Sequence, residues 1–235
     1  MSQAKENIRK MYRGQHGSNY HATIHSFNDE VLTTIARQRA YKLQSFISPD
    51  DTILEFGVGL GINLLNLHCK RRVGYDLSDA GKEICSAAGI DFTNDIVSIQ
   101  EEKFSVILCH HVLEHVPDPV GTLEQIQEFL LPGGKLLLFV PFETNHRFRR
   151  FYPGNPNRHL FAWNVLTLGN LVSHVGFEIK YAGVNYFGYE RRLAFLARYG
   201  FSIYRCALWI LRRLIPAEEI IIVCKKNDDS NIHEY

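Results

Sequence analysis

The sequence predicts an α/β fold in which a mostly parallel sheet carries helices on both faces. Apolar runs of strand length alternate with helical patterns from about residue 53 to residue 141, and short turns join them. Alternate glycines follow the first of these runs: Gly57, Gly59 and Gly61. The chain has 235 residues, which suffices for one such domain with a substantial core.

The charge balance of the chain is nearly even, with 26 lysines and arginines against 25 acidic residues. Charge therefore gives no indication of a nucleic-acid partner, and we expect none. Residues 1–10 are polar and contain no apolar core, so no secretory signal is visible there. We expect a cytoplasmic protein.

The chain divides into a short polar start, one domain and a polar tail. Residues 1–27 are rich in histidine and aromatic residues, and both a flexible arm and a lid over a ligand pocket fit that composition. Residues 28–226 are expected to form a single domain, and residues 227–235 form the tail.

The domain begins with a predicted helix over residues 29–46, in which Val31 and Ile35 recur at helical spacing. The first strand ends at the glycines. Apolar positions from Ile62 to Leu67 then predict that a helix begins directly after them.

The rest of the domain alternates strands with helices. Ser78 is the predicted N-cap of one helix, and Gly89 ends that helix. The predicted strands span residues 73–76, 90–93, 104–109, 135–140, 177–186 and 219–225, and the predicted helices span residues 78–88, 120–131 and 163–175.

Two segments depart from this alternation. Residues 142–164 lack periodicity and contain several basic and aromatic residues, so we expect a substrate loop there, with a solvated basic loop as the alternative. Residues 190–215 are predicted to be a helical insertion with an arginine every seven residues: Arg191, Arg198, Arg205 and Arg212. Such spacing predicts one basic stripe, because seven residues drift little around a helix. Peripheral membrane contact, packing in a homodimer and packing on the domain itself all fit this pattern.

Glu55 lies at the end of the first strand, just before the glycines. A second acidic residue, Asp76, ends a short strand 21 residues later. The sequence resembles the class I S-adenosylmethionine-dependent methyltransferases, whose E-x-G-x-G-x-G loop is matched by Glu55 and the three glycines. The resemblance continues through residues 92–96, 104–116 and 131–135. A dinucleotide fingerprint fits less well, because G-x-G-x-x-G would place glycine where Ile62 stands.

The resemblance implies a seven-stranded sheet whose last strand is antiparallel, and S-adenosyl-L-methionine as the cofactor. It implies that Glu55 holds the loop or the methionine amino group and that Asp76 accepts hydrogen bonds from the ribose. It implies that Asp95 and Ile96 face the adenine. The full set of implied cofactor contacts is Glu55, Gly57, Gly59, Gly61, Asp76, Leu77, Asp95, Ile96 and His110.

The expected activity is methyl transfer to a small-molecule, lipid-linked or sugar-linked acceptor at a hydroxyl oxygen. A non-catalytic cofactor-binding module and a methyltransferase acting on a macromolecule are the alternatives. The expected general bases are His115 and His146, and His159 is a further candidate. Some small-molecule O-methyltransferases carry E-x-x-E-H and bind a divalent metal here. Because His111 replaces the first glutamate, we expect no metal, with His111, Glu114 and His115 as the alternative ligand set.

Overall fold

The computed structural model describes residues 29–143, 151 and 158–227. The arm at residues 1–27, the tail beyond residue 227 and His146 lie outside the described residues. The strands are β1 (Thr52–Phe56), β2 (Arg71–Tyr75), β3 (Asp91–Thr93), β4 (Phe104–His110), β5 (Leu130–Pro141), β6 (Phe177–Tyr186) and β7 (Glu218–Lys226). The α-helices are α1 (Asp29–Leu43), α2 (Lys82–Ala87), α3 (Pro119–Phe129), α4 (Val165–His174), α5 (Glu190–Leu193) and α6 (Phe201–Leu214).

The strands form one seven-stranded sheet in the order β3-β2-β1-β4-β5-β7-β6. Strands β1 to β5 are parallel, and β7 runs antiparallel to both of its neighbours, as expected. The carboxyl ends of β1, β2 and β4 therefore meet at one edge of the sheet, and the start of β7 lies at the same edge. We call this edge the rim.

Each face of the sheet is covered by its own helices, which confirms the predicted architecture. Alternate residues of a strand point to opposite faces, so Leu54 and Ile53 of β1 belong to different cores. The core with Leu54 is closed by apolar side chains of α3 and α4. The core with Ile53 is closed by Leu43 of α1 and Cys85 of α2.

The helix predicted after the glycines does not form. Residues 61–67 make hydrogen-bonded turns, in which the amides of Leu64 and Leu65 both donate to the carbonyl of Gly61. Side chains from outside the segment bond to its backbone. The guanidinium of Arg72 in β2 donates to the carbonyls of Leu64 and Leu65 and to that of Ala88. The amide of His68, which in a helix would donate to the carbonyl of Leu64, donates to Oε1 of Gln44 instead.

Ser78 is not the N-cap of α2, which begins four residues later at Lys82. The amide of Ser78 donates to Asp76 Oδ1, and its hydroxyl accepts from the amide of Ala80. Ser78 therefore stabilises the turn after β2. Gly89 follows the helix at φ 66°, as predicted.

The arginines of residues 190–215 do not form one stripe, because Gly200 at φ 131° divides the segment. A 3-10 helix, Ala194–Tyr199, separates α5 from α6, so the seven-residue spacing no longer maps onto one face. Arg212 turns inward to Glu190 and the carbonyl of Gly188, and Arg205 lies over the ring of Tyr41. None of the helices described is long and apolar enough to span a membrane.

Candidate active site at the carboxyl ends of the strands

The glycine loop after β1 folds back onto β2. The amides of Gly57 and Val58 both donate to the carbonyl of Tyr75, and Gly57, Gly59 and Gly61 have φ values of 84°, 52° and 75°. Such backbone favours glycine. A Cβ on Gly57 would lie 2.2 Å from Val112. The first glycine is therefore required by packing against the loop that follows β4, a reason that its position in the motif does not reveal.

Asp76 joins this loop to the end of β2. Its Oδ2 accepts from the amide of Gly59 at 2.8 Å, and its Oδ1 accepts from the amide of Ser78 at 2.9 Å. Each carboxylate oxygen has a second lone pair that can accept from a ligand. The carboxylate is thus oriented before any ligand binds.

Glu55 is buried at the end of β1 beside the glycine loop. Oε1 accepts from the side chain of Asn63 at 2.6 Å, whereas Oε2 is buried and has no hydrogen-bond partner in the described structure. Burial raises the pKa of Glu55 to about 8, and the hydrogen bond from Asn63 opposes that shift only in part. An oxygen in this state suits a cationic donor such as the ammonium group of an amino acid.

The remaining cofactor contacts implied by the resemblance lie at the ends of β2 and β3. Asp95 caps the 3-10 helix Ile96–Ile99, because its Oδ1 accepts from the amide of Val97 at 3.1 Å. Leu77 and Ile96 are partly buried and pack against the core. Asp95 itself is exposed, so its second oxygen remains accessible from solvent.

A charged cluster surrounds the end of β4, and we call it the β4 cluster: Arg39, Lys42, His110, His111 and Glu219. Arg39 donates to Nε2 of His110 at 2.8 Å, and Lys42 donates to Oε1 of Glu219. The rings of His110 and His111 stack with centroids 4.3 Å apart. His111 Nε2 lies 3.3 Å from Glu219 Oε2.

The electrostatics of the β4 cluster hold Glu219 ionised and both histidines neutral. Burial acts to raise the pKa of Glu219, but Lys42, His111 and Arg39 together hold it at about 2. Burial lowers the pKa of His111, although Glu219 opposes that change. Burial, helped by His111 and Arg39, lowers the pKa of His110 further. A neutral imidazole beside a carboxylate can accept a proton.

His111 also has a left-handed backbone, at φ 56°, which is uncommon outside glycine. Strained backbone of this kind clusters at functional sites. A cavity of about 190 Å³ lies near His111, since one of the residues that line it is Phe187, whose ring lies 4.6 Å from that of His111. The cavity is lined by Gln38, Arg39, Lys42, Asn185, Tyr186, Phe187, Glu190 and Arg212.

A second cluster lies where the loop after β4 meets the chain after β5, and we call it the Glu114 cluster: Glu114, His115, Glu143 and His159. The carboxylate of Glu143 and Nδ1 of His159 form a hydrogen bond of 2.7 Å. The rings of His115 and His159 meet edge to face, with centroids 4.8 Å apart. Burial raises the pKa of Glu114 to about 8 and, with His159, lowers that of His115 to about 4. So low a pKa makes His115 a weak base at neutral pH.

The positions of these two clusters change part of the expected set of site residues. The metal set of His111, Glu114 and His115 is not brought together, because His111 lies against Glu219 while His115 lies against His159. Sequence reasoning missed Arg39, Lys42 and Glu219 as site residues. Of these three, only Glu219 has a recognisable sequence pattern, as an acidic residue near the start of a largely apolar strand.

A family model described as a methyltransferase domain matches residues 24–182. The ubiquinone biosynthesis O-methyltransferase of Saccharophagus degradans is 28% identical over 123 residues, covering 47% of this chain and 47% of that protein. The enzyme of the same name from Nitrosospira multiformis is 40% identical over 63 residues, covering 27% of this chain and 22% of that protein. The chain thus aligns with at most about half the length of these relatives.

Solved structures share the fold at low identity. The 1,6-didemethyltoxoflavin-N1-methyltransferase of Burkholderia thailandensis has a TM-score of 0.64 and 18% identity, covering 97% of this chain and 92% of that one. A possible histamine N-methyltransferase of Thermotoga maritima has a TM-score of 0.61 and 15% identity, with 94% and 100% covered. The cyclase SpnF has a TM-score of 0.57 and 16% identity, with 82% and 81% covered. At these identities the likeness concerns the fold alone.

Proposed function

The chain belongs to the methyltransferase domain family, and on that premise we propose that it transfers the methyl group of S-adenosylmethionine to a hydroxyl oxygen of a small-molecule acceptor. The proposal rests on the arrangement of side chains at the rim. The rim carries a glycine loop fixed by Asp76, a buried, half-satisfied Glu55 and a neutral histidine. Arg39, whose charge acts on both Glu55 and His111, also lines the cavity.

The described residues fit S-adenosylmethionine. The unpartnered Oε2 of Glu55 would accept from the ammonium group of the methionine moiety. Asp76 would accept from the ribose hydroxyls with its remaining lone pairs. Asp95 would accept from the adenine amino group, and Ile96 and Leu77 would supply apolar contact with the nucleoside.

The proposed general base is His111, with Glu219 as the residue that positions it. If Nε2–H donates to Glu219, the lone pair of Nδ1 is left to take the acceptor's proton. The acceptor oxygen attacks the methyl carbon in line, the bond from that carbon to sulfur breaks, and the sulfur leaves as a neutral thioether. The two bases expected from the sequence, His115 and His146, become alternatives to be tested beside it.

The proposed acceptor site is the cavity beside Phe187. A cavity of about 150 Å³ holds one benzene ring, so the space of about 190 Å³ here suits a single substituted ring. Nε of Arg39 is buried without a hydrogen-bond partner in the described structure and can donate to a polar substituent. An aromatic wall from Tyr186 and Phe187 would stack on the ring.

The test is a methyl-transfer assay with isotopically labelled S-adenosylmethionine and a panel of monocyclic phenols, with S-adenosylhomocysteine release as the readout. We expect labelled product to form and cofactor to be consumed in equal amounts. Binding of the cofactor by calorimetry without consumption across the panel and in a cell extract would favour a binding module or a cyclase-like activity instead. Absence of cofactor binding would contradict the proposed methyl transfer.

We propose in addition that α6 contacts an anionic membrane surface, which would suit a lipid-linked acceptor. Ile203, Ile210 and Leu214 lie on one face of α6 and are 51%, 46% and 74% exposed. Arg213 stands beside them with its guanidinium 3.8 Å from the ring of Trp209. Exposed apolar side chains next to arginine are typical of interfacial helices.

Vesicle flotation tests this contact. Anionic vesicles should co-float the protein at low salt, and the fraction should fall as salt rises, because the electrostatic part is screened. Leu214→Ser should reduce flotation, whereas Leu166→Ser, which alters an equally exposed leucine on α4, should not. Equal behaviour of the two variants, or no flotation at low salt, would contradict the membrane contact.

A further inference from the structure

Glu114 is an unusual carboxylate in the described part of the chain. It is 1% exposed, and neither of its oxygens has a hydrogen-bond partner. A buried carboxylate without donors is costly unless a cation accompanies it. None of the ion pairs of the described residues brings a lysine or arginine to Glu114. Its ion-pair partner there is His115, with Nε2 3.9 Å from Oε1.

Two imidazoles face this carboxylate. One ligand atom from each of Glu114, His115 and His159 can be chosen so that all three lie within 4.8 Å of one another. For any three atoms within that distance, some point lies no more than about 2.8 Å from all of them. A contraction of less than about 1 Å would therefore bring all three to the 2.0–2.2 Å typical of zinc–nitrogen and zinc–oxygen bonds.

Glu143 orients one of these imidazoles. Its carboxylate contacts Nδ1 of His159 at 2.7 Å, so Nε2 of His159 would be the ligand nitrogen in a metal site here. A carboxylate behind a metal-binding histidine fixes the tautomer and raises the basicity of the ligand nitrogen. Glu143 also brings a second carboxyl group to the cluster.

The β4 cluster provides an internal comparison, since His110, His111 and Glu219 are equally close together. There, Arg39 donates to His110 and Lys42 donates to Glu219. Cations already hold those lone pairs and would repel a metal ion. The Glu114 cluster has the opposite character, with two carboxylates and no such cation among the described residues.

We propose that Glu114, His115 and His159 bind one divalent transition-metal ion, with Zn²⁺ as the preferred ion. Two imidazoles and one carboxylate favour zinc over magnesium, which prefers oxygen ligands and keeps its waters. Three protein ligands leave a coordination position open to water or to an acceptor oxygen.

Metal binding would tie together two loops of the rim. The carbonyl of Glu114 already accepts from the amides of Leu160 and Phe161 at 2.8 and 3.2 Å. Arg158, directly before His159, has a left-handed φ of 51°. A metal bond through His159 would compensate for that strain and hold residues 158–161 against the loop after β4.

The test uses the full chain, stripped with a chelator and titrated with Zn²⁺, and with Mg²⁺ in parallel. We expect one zinc per chain by calorimetry and elemental analysis, and at least about tenfold weaker binding of Mg²⁺. Glu114→Gln and His159→Gln should each weaken zinc binding by more than about 100-fold. Glu143→Gln should weaken it by about 10- to 100-fold, as loss of an outer carboxylate does.

Controls separate a specific site from loss of folding and from the proposed activity. Glu219→Gln, in the comparison cluster, should bind zinc like the unmodified chain. Zinc should protect residues 158–163 from limited proteolysis in the unmodified chain and not in His159→Gln. Because the titrations contain neither cofactor nor acceptor, their outcome is independent of methyl transfer. No stoichiometric zinc in the unmodified chain, or unchanged affinity in folded Glu114→Gln and His159→Gln, would overturn the site.

Discussion

Asp76 has a structural task and a proposed binding task at the same time. Its two oxygens accept from the amide of Gly59, after β1, and from that of Ser78, after β2. The same carboxylate is the proposed acceptor of hydrogen bonds from the ribose. A substitution here therefore changes both the shape of the site and its affinity, so a neighbouring carboxylate is needed for comparison.

Asp76→Ala should weaken binding of S-adenosylhomocysteine by about 1–3 kcal/mol, or about 5- to 150-fold, because the ribose hydroxyls lose a charged acceptor. Calorimetry measures the change. Asp79→Ala is the matched control, since Asp79 is exposed and its Oδ1 accepts from the side chain of Asn94. Equal affinities for Asp76→Ala and the unmodified chain would refute the ribose assignment.

His111→Gln should lower turnover by about 10²- to 10⁴-fold, the usual contribution of a general base, while cofactor affinity stays nearly unchanged. His174→Gln, at an exposed position at the end of α4, should leave turnover intact. If His111→Gln turns over normally, the base lies elsewhere and His115 returns as the candidate.

The pH profile gives a second readout of the same pair. The titratable groups that act on His111 are Arg39 and Lys42 from α1, His110 from β4, His115 from the loop after β4 and Glu219 from β7. Turnover should fall on the acid side as His111 becomes protonated, below the ordinary histidine pKa, because burial lowers the pKa of His111. Glu219 opposes that shift, so Glu219→Gln should move the acid limb to still lower pH and reduce the maximum. An acid limb that moves upward would contradict the pairing.

Among the elements, the connection from β1 to β2 depends on one arginine. The guanidinium of Arg72 donates hydrogen bonds to three backbone carbonyls, those of Leu64, Leu65 and Ala88. Arg72→Met should lower the free energy of unfolding by about 1.5–3 kcal/mol, the range for hydrogen bonds to a charged group. Urea unfolding followed by circular dichroism measures it.

The neighbouring arginine serves as the control for that experiment. Arg71 is exposed and pairs with Asp91 and Glu102, and exposed ion pairs contribute about 0–1 kcal/mol. Arg71→Met should therefore cost less than Arg72→Met. The reverse order would show that the carbonyl contacts do not hold the turn.

The packing of α1 on β7 depends on the buried pair of Lys42 and Glu219. Lys42→Met should lower the free energy of unfolding at pH 7 by about 3–5 kcal/mol, because the carboxylate stays buried without its lysine. Glu219 is 0% exposed, and Lys42 is 21% exposed. Lys42→Arg keeps the charge and should recover most of the loss, whereas Lys180→Met, which breaks the exposed pair with Glu178, should change little.

The pH dependence of that loss follows from the pKa of Glu219. In the unmodified chain this pKa is about 2 against an ordinary 4.5, so the stabilisation is complete above about pH 4.5 and disappears toward pH 2. In Lys42→Met burial is less opposed and the pKa rises, so protonation relieves the buried charge as the pH falls. The difference between the two proteins should therefore shrink from pH 7 to pH 5. A constant difference would argue against the pair.

For the whole molecule, ligand binding should appear as thermal stabilisation. S-adenosylhomocysteine at 100 times its Kd adds about 2.7 kcal/mol to the free energy of unfolding, which raises Tm by roughly 5–11 °C in a chain of this size. NAD at the same concentration should give no shift, because Ile62 stands where the dinucleotide fingerprint needs glycine. A larger shift with NAD would reverse the choice of cofactor.

Local patterns in the sequence were enough to predict most of the strands, the helices on both faces of the sheet and the acids at the ends of β1 and β2. They were not enough where distant side chains intervene. Arg39 and His110 are 71 positions apart, and Lys42 and Glu219 are 177 apart, so no window contains either pair. The helix expected after the glycines failed for the same reason, since Gln44 and Arg72, which bond to its backbone, lie outside the segment. The arginine stripe assumed a continuous helix, and Gly200 interrupts it.

The position of β7 has a consequence for the order in which the molecule can assemble during synthesis. Strand β6 pairs with β7 alone, and β7 fills the space between β5 and β6. While the ribosome is still adding residues before Glu218, β6 has no partner strand and β5 has an open edge. Completion of the sheet and delivery of Glu219 to the β4 cluster are then a single late event. A nascent chain that stalls earlier would expose two unpaired strand edges, which makes it a substrate for chaperones.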